Sequence, residues 1–172
     1  MSTHALVMGG PMESLWKGRY VHYDGYPSGV GAALLRIVAR DGLVKAHEVL
    51  LNTHGGWNSI TAERSRLEYD DDGAPFLHTY AGENGHWYDS EAHGEFVVGY
   101  GESDKFGYMV TPENLSEQPS CSWAYFLGAD GLSFAKLDGT DDDIHWLGKV
   151  PWGTRPEDLA DLVEVELNLL SA

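Results

Sequence analysis

The chain has 172 residues, and its mass of 18.9 kDa suits one domain of ordinary size. Asp and Glu number 27 against 11 Lys and Arg, and this formal net charge of −16 argues against a surface that holds nucleic-acid phosphates. The hydrophobic content of 42%, with 6 Trp, 9 Tyr and 5 Phe, is too high for an intrinsically disordered chain.

Targeting and redox signals are absent from the sequence. The N-terminal residues lack both a basic region and a long apolar stretch, so they do not resemble a signal peptide. No segment approaches the roughly 18 consecutive apolar residues of a membrane helix. Cys121 is the only cysteine, which excludes an intramolecular disulfide. We therefore expect a cytoplasmic protein without a membrane segment.

The N-terminal part of the chain predicts two strands and two helices. Residues 4–8 and 15–23 are rich in strand-forming residues. Residues 24–27 predict a turn, because Gly accepts positive φ and Pro fixes φ. Ser28 is the predicted N-cap of a helix that ends near residue 41, with the apolar stripe Val30, Leu34, Ile37 and Val38. A second helix is predicted over 43–51, with the inward residues Leu43, Ala46, Leu50 and Leu51.

The C-terminal part predicts three strands and a helix. Residues 122–127 and 132–137 flank a Gly-rich turn and predict a hairpin, and 144–150 predict a third strand. Thr154 is the predicted cap of a last helix that starts at Pro156. In the middle, 96–100 and 106–110 are weak strand predictions, and the topology of 61–120 is left open. We expect one α+β domain over 1–172, with an antiparallel sheet, two helices after the turn and one C-terminal helix.

Residues 16–31 form the densest group of special residue types in the chain. Alternation along a strand places Trp16, Tyr20, His22 and Asp24 on one face and Lys17, Arg19 and Tyr23 on the other. If one face is buried, the other is free for binding or chemistry. The helix predicted at Ser28 would begin with unpaired N–H groups and a positive dipole, which favour an anion.

Two interpretations of this segment stand side by side. In the functional one, a ligand site is formed by Trp16, Arg19, Tyr20, His22, Asp24, Tyr26, Ser28, Gly29 and Gly31. In the structural one, His22 and Asp24 only bond the backbone of the turn, and Gly-Tyr-Pro sets the angle between strand and helix. Neither a Gly-x-Gly-x-x-Gly spacing nor a phosphate-binding Gly-Lys-Ser/Thr is present.

The eight histidines do not form a recognised metal motif. His47 and His54 flank the end of the second helix, and they could approach His22 and Asp24 as an acid–base or metal cluster. His86, Asp89 and His93 have only a loose ligand-like spacing. We therefore predict no bound metal and no cofactor, and we interpret Cys121 as a small buried residue rather than a nucleophile.

The tract His22-Tyr23-Asp24-Gly25-Tyr26-Pro27, with Gly29-Val30-Gly31 after it, resembles a group of small proteins of bacteriophages, prophages and actinobacteria. In that group an aromatic strand leads into His-x-Asp-Gly-Tyr-Pro and then into a helix. Actinobacterial members are similar also at 34–41, at 55–59 and at Trp123-Ala124-Tyr125 with the following hairpin. The likeness covers about half of the chain. It implies a bacterial host cell and a shared site, while the group itself has no assigned activity.

Three functional hypotheses follow from these observations. The first is a binding module for a small anionic ligand such as a nucleotide, with Arg19 or Arg36 neutralising charge and Trp16 or Tyr20 stacking. The second is a protein–protein module whose acidic surface docks on a basic host protein. The third is a hydrolase with His22 as general base, polarised by Asp24 and assisted by His47 or His54, with a metal as an optional further group. Binding or interaction is favoured over catalysis because no nucleophile or complete triad is evident.

Overall fold

The computed structural model describes residues 3–52, 56–57, 59–60, 68–69, 75–76, 79–80, 109–117 and 120–171. The N-terminal elements are the strands β1 (His4–Met12) and β2 (Leu15–Val21), a π-helical turn (Pro27–Gly31), and the helices α1 (Ala32–Asp41) and α2 (Leu43–Asn52). Five short strands follow: β3 (Gly56–Trp57), β4 (Ser59–Ile60), β5 (Glu68–Tyr69), β6 (Pro75–Phe76) and β7 (Thr79–Tyr80).

The C-terminal elements begin with a short 3-10 helix (Leu115–Glu117). The strands β8 (Cys121–Leu127), β9 (Gly131–Lys136) and β10 (Gly148–Pro151) come next. A 3-10 turn (Pro156–Asp158) then leads directly into the last helix, α3 (Leu159–Ser171).

The main sheet is mixed, with six strands in the order β10-β9-β8-β1-β2-β3. The pairs β1–β2, β8–β9 and β9–β10 are antiparallel, whereas β1–β8 and β2–β3 are parallel. The α+β class is thus confirmed, and the expectation of an antiparallel sheet is met only in part, because two of the five strand pairs are parallel. The physical reason is that hairpin turns force antiparallel pairing only between strands they connect. The long connection before β8 does not determine whether β8 runs parallel or antiparallel to β1.

One face of the sheet packs against the helices. Ala5, Val7 and Val21 point to this side, where they meet the buried faces of α1, α2 and α3. Trp57 closes the core near α2, and its Nε1–H donates a hydrogen bond to the carbonyl of Leu50 at 3.0 Å. The interior of this layer is mostly apolar, and burial of apolar side chains is the main contribution to stability expected when an amphipathic helix packs on a sheet.

The second face of the sheet is buried as well. Leu6, Met8, Trp16 and Tyr20 form a separate core that is covered by residues of the 109–117 and 138–147 segments. Alternation did place Trp16 and Tyr20 on one face, as the sequence predicts. That face is nevertheless not free for binding along the strand, because a second layer covers it.

Several element boundaries differ from the predictions. The first helical segment begins with the π turn at Pro27, so Ser28 lies inside it; Tyr26 occupies the N-cap position, without a side-chain cap. Thr154 is likewise not the cap of the last segment, whose N-cap residue is Arg155. The third C-terminal strand covers only Gly148–Pro151. Before it, Ile144 and Trp146 pack on the second core, and the amide of Leu147 donates to the carbonyl of Phe134 at 2.9 Å. The predicted strand 96–100 and most of 106–110 lie outside the described residues, although Val110 forms an isolated bridge with Gly18.

In the described part of the chain, no helix combines the length and apolar character needed to cross a bilayer.

Candidate functional site

The motif residues 22–31 form a tight corner between β2 and α1, and the glycines are required by close packing. A Cβ on Gly29 would lie 2.2 Å from the carbonyl oxygen of Asp24. A Cβ on Gly25 would lie 2.9 Å from the carbonyl oxygen of Thr3, and one on Gly31 would lie 2.7 Å from Leu159 Cδ2. The glycines of the motif therefore serve the fold.

Buried hydrogen bonds hold the corner against the sheet. The hydroxyl of Tyr125, in β8, donates to the carbonyl of Gly25 at 2.6 Å. The amide of Gly25 donates to the carbonyl of Thr3 at 2.8 Å, which ties the corner to the start of β1. Because Tyr125 is fully buried, burial raises the pKa of its hydroxyl well above the usual value and keeps it a donor.

The N–H groups at the start of the helical segment are largely used within the corner. The amide of Gly29 donates to the carbonyl of Tyr26 at 2.9 Å, and that of Val30 donates to the carbonyl of Asp24 at 2.8 Å. These two amides are therefore not available to an anion, contrary to the sequence expectation of bare N–H groups. The Ser28 side chain is exposed beside them.

Asp24 has the only positive φ, 57°, among the described non-glycine residues. Its carboxylate is exposed, and Oδ1 accepts a hydrogen bond from the hydroxyl of Tyr26 at 3.0 Å. Tyr26 is itself 41% exposed. The hydrogen bond to Asp24 and its negative charge raise the pKa of Tyr26. Asp24 and Tyr26 together present an acidic, hydrogen-bonding pair at the surface of the corner.

His22 lies next to His4 and Tyr20 at the edge of the second core. Nδ1–H of His4 donates to the carbonyl of His22 at 2.6 Å, and a hydrogen bond of 2.8 Å joins the Tyr20 hydroxyl to Nδ1 of His22. The two imidazole rings are 4.4 Å apart between centroids. Since a carbonyl can only accept, the proton of His4 must sit on Nδ1.

The electrostatics of this cluster favour neutral side chains. Burial, followed by the proximity of His4, lowers the pKa of His22 to about 4. Burial is also the main cause that raises the pKa of Tyr20, and the neighbouring Cys121 adds to it. The Cys121 thiol is buried and its pKa is raised by that burial, in agreement with its interpretation as a core residue. At neutral pH, His22 therefore carries no charge with which to hold an anion.

The geometry does not couple Asp24 to His22. In the described part of the chain, the carboxylate of Asp24 bonds Tyr26, and the imidazole of His22 bonds Tyr20. A hydrolytic mechanism in which Asp24 fixes the tautomer of His22 needs a bond between the two side chains. Of the proposed assistants, His54 lies outside the described residues.

His47 is far from this corner. Its ring packs against Gly9 of β1: a Cβ added to Gly9 would lie only 2.0 Å from Nε2 of His47. Ala5 in β1 pairs with Val21, which precedes His22. Gly9 lies four residues further along β1, which corresponds to about 13 Å at 3.3 Å per residue. Burial and the charge of Lys17 lower the pKa of His47. The structure therefore does not bring His47 to His22.

The remaining predicted site residues are distributed over the molecule. Trp16 and Tyr20 are only 4% and 2% exposed, so neither can stack on a ligand without rearrangement of the core. Arg19 points to the helix side of the sheet, where its Nε donates to the carbonyl of Leu51 at 2.9 Å. Burial lowers the pKa of Arg19. Gly31 is buried under Leu159 and Tyr125. The surface part of the predicted site thus consists of His22, Asp24, Tyr26, Ser28 and Gly29.

Sequence reasoning missed a cavity at the other end of the sheet. It has a volume of about 870 Å³ and lies between the β1–β2 turn, the β8–β9 turn and the segment around Trp146. Glu13 and Lys149 are among its lining residues. No local signal could have revealed it, because its walls come from three segments that are distant in sequence.

Comparisons with known proteins give no match: no family model, no curated protein and no solved structure is similar to this chain. The functional interpretation therefore depends on the geometry of the described residues.

Proposed function

We propose that this protein is an interaction module that binds a protein partner through the exposed part of the corner at 22–29. The observation that carries the proposal is Asp24. At its φ of 57° Asp24 adopts a conformation that aspartate tolerates better than most residues, and it presents its carboxylate to solvent. Its hydrogen bond to Tyr26 is exposed and contributes little to stability. A contact with a partner gives this side chain a purpose that the fold does not.

The chemistry of the corner favours a partner with hydrogen-bond donors or positive charge over a small anion. Asp24 is negative, His22 is neutral at pH 7, and the amides of Gly29 and Val30 are already bonded. Arg19 lies on the opposite face of the sheet. The nucleotide hypothesis needs cations and free amides at this position, so we favour the protein–protein hypothesis.

The neighbouring helix α3 supports a partner of macromolecular size. It begins against the corner, where Leu159 packs on Gly31, and an apolar stripe beyond that point is exposed: Leu162, Val165, Leu169 and Leu170. Exposed Asp161 and Glu164 stand beside this stripe. Contiguous apolar surface with polar neighbours is typical of protein interaction sites. A basic partner with an apolar patch would complement both features.

The origin of the partner follows from the resemblance rather than from the geometry. If the chain is kin to the phage and actinobacterial group, the partner is a protein of the bacterial host. The acidic surface, with its formal charge of −16, would then accelerate association with a basic host protein at low salt.

Site-specific photocrosslinking tests the position of the interface. A photoreactive phenylalanine analogue replaces Tyr26 in one sample and Val44 in another, and each protein is exposed to light in host lysate. Val44 is a matched control because it is 83% exposed on α2. We expect one discrete crosslinked protein from position 26 and none from position 44. Equal crosslinking from both positions contradicts the proposal.

The variant Asp24→Asn tests the carboxylate itself. Asparagine tolerates a positive φ about as well as aspartate, so we expect folding stability to change by less than about 1 kcal/mol. Capture of the crosslinked partner should fall at least tenfold, and higher salt should weaken the wild-type complex in the same way. Unchanged capture by Asp24→Asn, with the fold intact, means that Asp24 serves only the turn.

A further inference from the structure

A second feature of the molecule, independent of the corner, is the cavity at the hairpin end of the sheet. Because β1 and β8 are parallel, the turns that follow them lie side by side. The cavity of about 870 Å³ opens between these turns and the segment that leads into β10. Its volume lies within the range of about 300–1,000 Å³ that small-molecule sites occupy.

The floor of the cavity is apolar and aromatic. Phe126 and Trp146 meet edge to face, with their ring centroids 6.0 Å apart, and Ile144 is buried beside them. Met12 extends the apolar lining and is more than half exposed. Aromatic faces of this kind attract both flat apolar groups and organic cations.

The rim of the cavity is acidic. Glu13, Asp130 and Asp143 contribute three carboxylates against the single ammonium of Lys149. Lys149 is already engaged, since its Nζ lies 3.3 Å from Asp130 Oδ1 and 3.8 Å from Glu13 Oε1. The excess of negative charge selects against an anionic ligand and in favour of a cationic one.

Glu13 is held in place by a buried group. Ser133 is only 1% exposed, and its hydroxyl donates to Oε1 of Glu13 at 2.5 Å. Both described partners of the Glu13 carboxylate contact this one oxygen, so Oε2 has no hydrogen-bond partner in the described part of the chain. A fixed carboxylate at the mouth of an aromatic cavity is preorganised to accept a hydrogen bond from a ligand.

We propose that this cavity binds an organic cation with an apolar or aromatic body, whose charged group meets Glu13 while the body lies on Trp146 and Met12, with the buried Phe126 behind Trp146. A divalent metal is a poor fit, because the described residues contain no group of three or more metal-ligating side chains. The same cationic chemistry could come from a free amine or from a basic side chain of a protein.

Three probes of matched shape test the chemical class: phenethylamine, 2-phenylethanol and 3-phenylpropionate, titrated into ¹⁵N-labelled full-length protein and followed by amide and indole shifts in NMR. We expect the amine to bind at least fivefold more tightly than the alcohol and the carboxylate not to bind. The shifts should concentrate at Glu13, Gly128 and Trp146. A dipeptide amide, acetyl-Phe-Lys-amide, distinguishes the sources: tighter binding than phenethylamine indicates a protein side chain, and weaker binding indicates a free amine.

Variants separate the charged contact from the apolar one. Glu13→Gln retains an oxygen acceptor for Ser133, and it should weaken amine binding at least fivefold without changing alcohol binding. Trp146→Leu should weaken both probes. Glu157→Gln is the matched control, because this exposed glutamate pairs with Arg155 outside the cavity. Equal binding of amine and alcohol, equal effects of Glu13→Gln and Glu157→Gln, or shifts located elsewhere would overturn the proposal.

Discussion

The two ends of the parallel pair β1–β8 use their residues in opposite ways. At the end where β1 and β8 begin, rare residue types form the corner, and most of them are needed by the backbone: Gly25, Gly29 and Gly31 fill spaces that no side chain fits. At the other end, common residues such as Glu13 and Lys149 surround a cavity, and their side chains are partly exposed. In this protein, the segment richest in rare residue types therefore forms a tightly packed turn, whereas the cavity large enough for a ligand is formed by common residue types.

This difference shows which positions can be altered without loss of the fold. At the corner, Asp24 and Tyr26 are exposed while the glycines beside them are packed. At the hairpin end, most rim side chains face solvent. Changes in stability should accordingly be large for the packed corner residues and small for the cavity rim.

The largest effect is expected for Gly29→Ala. The added methyl group would lie 2.2 Å from the backbone carbonyl oxygen of Asp24, which itself accepts the amide of Val30, so the π turn must shift. We expect a loss of about 3 kcal/mol or more in the free energy of unfolding. Urea denaturation measures it, with Gly153→Ala as the control, because a Cβ there meets nothing within 4 Å. Equal stability of the two variants would show that the corner is not tightly packed.

A smaller effect is expected for Tyr125→Phe. The substitution keeps the ring in the core but leaves the buried carbonyl of Gly25 without its donor. An unsatisfied buried acceptor costs about 1–3 kcal/mol in the free energy of unfolding. Thermal and chemical denaturation should both show this loss. A change of less than about 0.5 kcal/mol would mean that water or another donor satisfies the carbonyl.

The dependence of stability on pH tests the environment of His22. Its pKa is lowered from 6.5 to about 4 in the folded protein, so between these values the unfolded chain binds a proton that the folded protein does not. Stability should therefore fall as pH decreases from about 6.5 to about 4, and this contribution should be constant below that. Because His22 is partly exposed, we discount the effect to about 1 kcal/mol.

The matched comparison for this pH effect is His22→Gln. Its unfolding free energy should vary less over the pH window than that of the wild type. His145→Gln, at an exposed position, controls for the loss of a histidine and should retain the wild-type slope. Identical slopes for wild type and His22→Gln would contradict the buried environment described for this imidazole.

The smallest effect is expected for Asp130→Asn at the cavity rim. Its side chain is 75% exposed, and its ion pair with Lys149 spans 3.3 Å. Exposed ion pairs contribute about 0–1 kcal/mol, so we expect a change in unfolding free energy below about 0.5 kcal/mol. Chemical denaturation at low and high salt measures it. A loss of unfolding free energy as large as that of Tyr125→Phe would mean that the cavity rim contributes as much to stability as the corner does.

Much of the secondary structure could be predicted from local patterns. The helices α1 and α2, the β8–β9 hairpin and the last helix follow from apolar periodicity and turn residues. The shared face of Trp16 and Tyr20 follows from strand alternation. The caps at Ser28 and Thr154 were wrong, because a polar residue near a predicted helix start does not determine where the backbone first turns.

The candidate site could be predicted only in part. The segment 16–31 was identified as special, and it forms a distinctive corner. Which side chains of this segment are exposed could not be predicted, because the layer that covers Trp16 comes from residues more than ninety positions later in the chain. The neutral state of His22 depends likewise on its burial in the fold and, secondly, on His4, which the fold brings to it from the start of β1.

The sequence by itself determined the α+β class, the positions of the main helices and hairpins, the acidic surface and the location of a demanding turn. These properties depend on neighbours along the chain or on summed charge. The tertiary structure alone decided the parallel pairing of β1 with β8, the burial of both sheet faces and the cavity at Trp146. Each of these depends on contacts between distant segments, whose mutual placement no local pattern encodes.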